Sequence, residues 1–492
     1  MNKDIFFVMH IKDADGALRG MAVRISPEKE TLPGDRIKTM TEAARSLSLA
    51  EHERLRTEML VEPPPGVPIR ALSDYLWADG STNTARLVRH LESYRQGRSP
   101  HLFQPRVGIT VVMDEEFIGR EKPLADLEVN ISAKRSCHLR APRRYGKSSL
   151  LGRVAALRPQ AVLLELSDIG TLPGFLKALV SRCMRNQAAR ACLHELPVYR
   201  PWPAVTDAAS MSQVFNAAFA EIMASHGNDP GPLLRETMTA LAGAGIVLLI
   251  DEFSLFLRDM LEKNVADLTS FLEIFHRLRT RTGNPLTAVF AGSAGLSTYI
   301  ELLGMHALFA DLVPVDIPPV TQGEAKLLAE ELFYGMEKAP FPAAIDRLVE
   351  LTGNDETVPY FVHALAHYTT EQVGQKREIG VADVETAYYD RLLGPLGNIC
   401  FRDFILRERA YPEEYRSCAS PILKALSRLA PVPVPEAELK YLCEDRVVFD
   451  KLMICLEEDY DLVRQGDTWR MRSRVIADRW RLGEPWLTLG GR

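Results

Sequence analysis

Residues 141–150 read Ala141-Pro142-Arg143-Arg144-Tyr145-Gly146-Lys147-Ser148-Ser149-Leu150, with a glycine, a lysine and two hydroxyls in unbroken succession. An apolar run at 137–141 precedes this stretch and a helix-forming run at 149–154 comes after it. Between a strand and a helix, such a loop turns successive backbone N–H groups toward one point at the helix N-terminus, which makes a cradle for negative charge. Lys147 is placed to reach the β- and γ-phosphates of a nucleotide, and Ser148 to offer its hydroxyl to Mg²⁺. The spacing is that of a Walker A loop, and the ligand it implies is ATP with Mg²⁺. Pro142, Arg143, Arg144, Tyr145, Gly146, Lys147, Ser148 and Ser149 are the candidate contacts. The motif's first glycine is replaced by Ala141, whose methyl group suits the turn when φ is negative.

Farther along, Ile246-Val-Leu-Leu-Ile-Asp251-Glu252 is an apolar strand ending in two carboxylates, a Walker B pattern. In-line phosphoryl transfer needs charge neutralisation and a positioned nucleophile more than covalent chemistry. Asp251, with Ser148, is the candidate metal ligand, and Glu252 the candidate that polarises the attacking water. A strand merely capped by solvated acids is the plain alternative, and it weakens once both motifs occur in one chain. The next apolar run, 287–291, ends at Gly292-Ser293. A polar side chain there can touch the γ-phosphate or the water, so Ser293 is a second catalytic candidate, unless Gly292 and Gly295 mark only a tight turn.

These groups must be positioned by a sheet. Apolar runs at 137–141, 161–166, 246–250, 287–291 and 312–317 alternate with longer helical stretches, the grammar of an α/β fold with a parallel sheet covered by helices. That core is expected to span 113–318. Residues 1–112 read as a separate α+β unit, opening on a strand-like 4–11 and broken by Pro63-Pro64-Pro65-Gly66, with no chemical motif. After Pro318-Pro319 the pattern turns helical, and Thr321-Gln-Gly-Glu324 can cap a helix start reciprocally. A helical lid is expected over 319–395. Within it His363 and His367 lie four apart, a metal-ligand spacing without a third ligand nearby, which helix packing explains better. Residues 396–492 show helices near 422–429, 436–443 and 447–456 and a hairpin at 461–471 turning at Gln465-Gly466-Asp467, which together make a winged helix.

At 492 residues the chain exceeds what one hydrophobic core organises. No stretch approaches the ~20 apolar residues of a membrane span, and the N-terminus lacks a secretory cleavage pattern, so a soluble, cytoplasmic protein is expected. Seven scattered cysteines, none spaced CxxC, indicate neither a disulfide framework nor a zinc ribbon. A net charge of −6 is unlike a dedicated nucleic-acid binder, so a DNA contact would have to come from one segment. The third helix of the winged segment is acidic, with Asp450, Glu457, Glu458 and Asp459 against Lys451. Positive charge falls on the wing and on the residues after it, where Arg464, Arg470, Arg472 and Arg474 are candidates for duplex phosphates.

With these motifs identified, the chain resembles the archaeal-type ATPases of the STAND/AAA+ lineage of P-loop NTPases. The resemblance rests on Phe117-Ile118-Gly119-Arg120-Glu121, on 142–150, on Leu249-Ile-Asp-Glu252, on Ala291-Gly-Ser293 and on Val358-Pro359-Tyr-Phe361, and it spans 113–485. It implies an ASCE-type five-stranded parallel sheet in the order 5-1-4-3-2, a helical lid and a C-terminal winged helix. It also implies that Phe117, Ile118, Gly119 and Arg120 pack against the adenine and that Pro359 closes on the nucleotide, although 354–358 lengthen the usual Gly-x-Pro spacing. Where many such ATPases carry an arginine shortly before the fifth strand, this chain has Leu308-Phe-Ala-Asp311. Arg277, Arg279 and Arg281 are the nearest substitutes, unless they serve only a helix C-terminus. Without such a finger hydrolysis is expected to be slow, because a finger contributes ~10³ or more in rate. The function expected is an ATP-binding, slowly hydrolysing regulatory switch, coupled to a protein partner through the N-terminal unit or to DNA, by analogy in defence or signalling, and able to form a nucleotide-dependent oligomer. A DNA-bound loader-like ATPase of replication, transposition or mobile-element maintenance and an inert ATP-bound scaffold are the alternatives. Intact Lys147, Asp251 and Glu252 speak against the scaffold.

Overall fold

The computed structural model describes residues 5–12, 18–25, 77–81, 83, 85–86, 89–90, 103–107, 117–141, 143–200, 208–225, 229–292, 304–401, 404, 411, 413–458 and 461–482. They fall into two compact units. One joins 1–107 with 323–351 and 362–395, the other joins 108–322 with 352–361 and 396–492. The division runs across the four parts expected from sequence, since segment 352–361 separates from the rest of the expected lid.

In the first unit, β1 (Ile5–Lys12) and β2 (Leu18–Ile25) form an antiparallel hairpin, Ile5 opposite Ile25 and Lys12 opposite Leu18. A buried charge cluster ties residues 83–90 to helix Gln322–Gly335. Arg86 donates from Nε and Nη2 to Glu331 Oε2 at 3.1 and 2.9 Å, and Arg89 reaches Glu331 Oε1 at 3.1 Å. Asn83 donates to Glu330 at 3.2 Å, and the Arg86 guanidinium lies 4.4 Å from the Tyr334 ring centre. Although they carry no chemical motif, these residues are therefore an integral part of the packing around this helix.

The second unit holds the parallel sheet. Its strands are β3 (Cys137–Arg140), β4 (Ala161–Glu165), β5 (Val247–Asp251), β6 (Thr287–Phe290) and β7 (Val313–Asp316), ordered β4-β5-β6-β3-β7. Counting these five from β3, that is the 5-1-4-3-2 order. Every residue of β5 is buried, as a strand covered on both faces requires. Because side chains alternate, Val247 and Leu249 join Leu127, Leu150, Leu151 and Val154 on one face. Leu248 and Ile250 pack on the other face with Leu179, Phe256, Phe271 and Leu241. Helices Glu121–Ser132 and Lys147–Leu157 cover the first face, and helices that include Leu172–Arg185, Pro230–Gly243, Phe253–Lys263 and Val265–Thr280 the second.

In the first unit again, β8 (Ala339–Pro340) pairs in parallel with β9 (Glu378–Ile379). The C-terminal part of the second unit combines helices Glu413–Leu429, Glu436–Lys440 and Arg446–Glu458 with an antiparallel sheet of β10 (Val434–Pro435), β12 (Thr468–Met471) and β11 (Leu462–Gln465). Gln465 pairs with Thr468, so the hairpin turns at Gly466-Asp467, and Gly466 takes φ 61°. The first of these helices begins nine residues before the expected 422, running through Pro421. A disulfide links Cys418 to Cys443, whose Cα atoms are 5.1 Å apart, correcting the reading of cysteines without a disulfide. The link joins helix Glu413–Leu429 to the connection between helices Glu436–Lys440 and Arg446–Glu458, 25 residues on, which spacing in the sequence does not announce. Among the described residues no helix is long and apolar enough to cross a membrane.

Glu331 offers a test of the buried cluster. Burial pushes its carboxyl up, but the His90 hydrogen bond and the charges of Arg86 and Arg89 outweigh this and hold it at about 2, below its ordinary 4.5. A depressed pKa contributes stability that is complete above 4.5 and is lost as pH falls toward 2. Glu331→Ala removes the carboxylate that accepts two hydrogen bonds from the buried Arg86 and should cost ~3–5 kcal/mol at neutral pH. Urea denaturation checks this, and the difference from wild type should shrink progressively below pH 4.5.

Candidate functional site

The carboxyl ends of β3, β5 and β6 lie side by side, which is where open parallel sheets bind ligands. After β3 the loop 141–146 turns into helix Lys147–Leu157 through two left-handed residues, Arg144 at φ 68° and Gly146 at φ 90°. Such a φ is costly for side chains with a Cβ and free for glycine, so Gly146 answers a backbone requirement. Lys147 is buried, and its Nζ donates to Ala141 O at 2.8 Å across the loop. Arg120 is 3% exposed and donates from Nε and Nη2 to Tyr145 O at 3.2 and 3.0 Å. Its Nη1 donates to Gly119 O at 2.9 Å. The residues expected at the adenine thus include one that braces the phosphate loop. Phe117 is half-buried against the apolar layer beneath the loop, and Ile118 and Gly119 form the turn before helix Glu121–Ser132.

Asp251 is buried at the end of β5, and its Oδ1 accepts the backbone N–H of Glu252 at 2.9 Å. The Ser148 hydroxyl lies near enough to act on this carboxylate. Burial pushes the Asp251 carboxyl up, with Glu252 adding to the rise, while Ser148, the Glu252 amide and the Lys147 charge oppose it. Glu252 sits in the left-handed region at φ 54° as the residue before helix Phe253–Lys263. A non-glycine residue there is strained, and strain of this kind gathers at functional sites. An aromatic cluster holds it: Phe253 meets Phe290 of β6 at 4.6 Å, and Phe271 meets Phe256 at 5.1 Å and Phe275 at 4.6 Å. Phe253 N also donates to Ala291 O at 2.8 Å.

Gly292 is required by close approach rather than by a turn, because a Cβ there would clash with Ser254 Oγ. Ser293 and Pro142 lie outside the described residues. Ser149 is buried in the first turn of its helix, and Arg143 is half-buried. Pro359 begins helix Pro359–Val373, and its neighbour Tyr360 brings this segment to the loop: the Arg144 guanidinium lies 4.5 Å from the Tyr360 ring centre. In the sequence Tyr360 stands within the Val358–Phe361 motif without a role of its own; the stack on Arg144 gives it one.

The donor set fits a hard divalent cation with a polyphosphate. Ser148 and Asp251 would supply oxygen ligands, and Lys147 and the helix N-terminus supply positive charge beside them. The substitutes for an arginine finger are engaged elsewhere. Arg279 pairs with Asp311 at 2.8 and 2.9 Å and donates to Leu308 O at 2.5 Å, Arg277 pairs with Glu273 at 3.0 Å, and Arg281 donates to Asn284 O. Asp311 serves as the anchor of Arg279.

The four arginines read as DNA contacts all have carboxylate partners. Arg470 grips Glu356 in a two-pronged pair at 2.7 and 2.9 Å, and Arg472 stands 3.8 Å from the same carboxylate. Arg464 reaches Glu436 at 3.4 Å, and Arg474 reaches Asp478 at 3.6 Å. In the other unit, His363 Nδ1 accepts the backbone N–H of Arg106 at 3.2 Å, and burial holds its ring down at about 4, so it packs as a neutral side chain. His367 faces Glu371 at 3.4 Å. Among the described residues no group of three or more His, Cys, Asp or Glu side chains could hold a metal by itself.

No protein-family model matches the chain, and no curated protein matches it in sequence. Solved structures do. The Walker-type ATPase of Pyrococcus abyssi is similar at a TM-score of 0.54 and 15% identity, over 76% of this chain and 98% of that one. The Thermotoga maritima RuvB Holliday junction branch migration motor gives 0.38 and 14%, over 73% and 94%. The Aeropyrum pernix ORC2 protein gives 0.45 and 11%, over 77% and 94%. With the sheet order above, the first of these likenesses shows a P-loop NTPase fold.

Proton release should report the arrival of a metal at Asp251. The fold disfavours its charged form, which a cation would favour, so metal binding should expel a proton from whatever fraction is protonated. Calorimetric titration of Mg²⁺ into nucleotide-loaded protein over a series of pH values, in buffers of different ionisation enthalpy, should show more proton release for wild type than for Asp251→Asn, with the difference fading as pH rises.

Proposed function

We propose that this protein is an ATP-binding, slowly ATP-hydrolysing switch whose nucleotide state is passed to a partner protein. The observation that supports the reading is the meeting of two motifs from separate strands: Ser148 of the phosphate loop acts on the buried carboxylate of Asp251 at the end of β5, and Lys147 places its charge beside it. On this reading Gly146 and the amides of 143–149 hold the phosphates, Lys147 neutralises the β- and γ-phosphates, and Ser148 and Asp251 hold Mg²⁺, which supplies charge neutralisation at the phosphates. Phe117, Ile118, Gly119 and Pro359 border the base, and Arg120 keeps the loop in shape. Glu252 takes up the proton of the attacking water, and Ser293, which follows β6 in the sequence, is the second catalytic candidate.

Slow turnover is supported by the engagement of Arg277, Arg279 and Arg281 with Glu273, Asp311 and Asn284. A protein partner is favoured over DNA because Arg470 and Arg472 are already committed to Glu356, so phosphate contacts would have to displace an ion pair. The fold of the C-terminal module, three helices and a three-stranded antiparallel sheet, supports its reading as a winged helix, here an intramolecular contact element. The partner is assigned to the N-terminal unit, residues 1–112, and the chain is read as working in the cytoplasm.

Glu252→Gln tests the reading. It should bind ATP with near wild-type affinity and lose hydrolysis by about 10²-fold or more, the usual contribution of a positioned base. Phosphate release under saturating ATP checks it, and equal rates for both proteins would leave only a nucleotide-holding scaffold.

A further inference from the structure

Four features of the second unit converge on the phosphate loop from its C-terminal side. Tyr145, between Arg144 and Gly146, is 2% exposed and lies under the influence of the charges of Arg472, Glu356, Arg120 and Asp461. Arg144 stacks over Tyr360, itself buried. Glu356, four residues before Tyr360, receives both prongs of Arg470 from β12 and the nearby Arg472. Asp461 and Arg472 are joined through their backbones at 2.9 Å, so they are one end of the hairpin.

The segment carrying Glu356 and Tyr360 is short and well fastened. It turns at Gly353, φ 129°, and Asn354, φ 54°, and Thr357 Oγ1 closes the turn on Asn354 O at 2.7 Å. Thr357 also bridges to Val320, just after β7, and Phe361 packs at 5.6 Å from Phe401 and 5.8 Å from Phe404. A strap held at both ends transmits displacement rather than absorbing it. A two-pronged arginine–carboxylate pair fixes orientation as well as distance, so it suits a mechanical joint better than a single contact.

We propose that Glu356, Arg470 and Arg472 form a clamp that couples the phosphate loop to the C-terminal module, with Tyr145 and the Arg144–Tyr360 stack as its contact on the loop side. In this arrangement the loop's conformation and the docking of the hairpin stabilise one another, and by linkage a nucleotide that orders the loop tightens the module by the same factor. The nucleotide half of this statement rests on the ATP-binding reading above; the coupling of loop to hairpin does not. Glu356 and the arginines act through the loop and are positioning residues.

Hydrogen exchange followed by mass spectrometry tests the clamp in the full chain. Without nucleotide, Glu356→Gln and Arg470→Lys, the second keeping the charge but losing the two-pronged geometry, should speed amide exchange roughly tenfold both at 462–471 and at 143–150. The exchanged pair Glu356→Arg with Arg470→Glu should restore slow exchange at both places, and the control Arg474→Gln should alter neither. Faster exchange at 462–471 with 143–150 unchanged would overturn the proposal, since the pair would then only fasten the hairpin. In a second arm, the slowly hydrolysed analogue ATPγS with Mg²⁺ should slow exchange at 462–471 in wild type and not in Glu356→Gln. Loss of nucleotide binding by wild type would refute the ATP-binding reading, whereas unequal behaviour of the two segments in the first arm refutes the clamp.

Discussion

At Gly146 the chain has to pass from β3 into helix Lys147–Leu157 while turning consecutive amides toward one point, and a left-handed φ of 90° is how it does so. A side chain with a Cβ would oppose that backbone, and without it neither the cradle nor the approach of Lys147 to Ala141 O would form. The other parts of the second unit depend on this turn. Arg120 braces Tyr145 O, Ser148 is brought near Asp251, and the buried Tyr145 lies within the influence of the charges of Arg472, Glu356, Arg120 and Asp461. Sheet order does the rest, because β6 lies between β3 and β5 and sets the two motifs one strand apart.

Local chemistry was the legible part of this protein. Gly146-Lys147-Ser148 and Asp251-Glu252 could be read directly because each motif needs only a strand, a turn and a few contiguous residues. The five apolar runs marked β3 to β7 because strands buried on both faces have no polar alternation to obscure them. The hairpin turn at Gly466-Asp467 was equally local. Contacts of long range were not legible. Nothing near Glu356 announces Arg470, 114 residues away, and nothing near Cys418 announces Cys443. Charge on the wing resembled a phosphate-binding surface, because a list of arginines does not show which carboxylates they meet.

The same limit explains the N-terminal region. Residues 83–90 have no motif of their own, yet Arg86 and Asn83 complete a buried polar network with Glu330 and Glu331. A buried network needs every member satisfied, so its logic is visible only when both halves are in place. Asp311 is a further case: as a letter in the sequence it is a missing arginine, and in the structure it is the partner of Arg279 and His276.

The proposed switch depends on nucleotide binding at the loop after β3. Calorimetric titration of Mg·ATP into the wild-type chain and into Lys147→Ala measures this directly. The predicted result is saturable binding at one site per chain, weakened roughly tenfold or more when the lysine's charge-assisted contacts are removed. Equal affinity for the two proteins, or no saturable binding by the wild type, would contradict it.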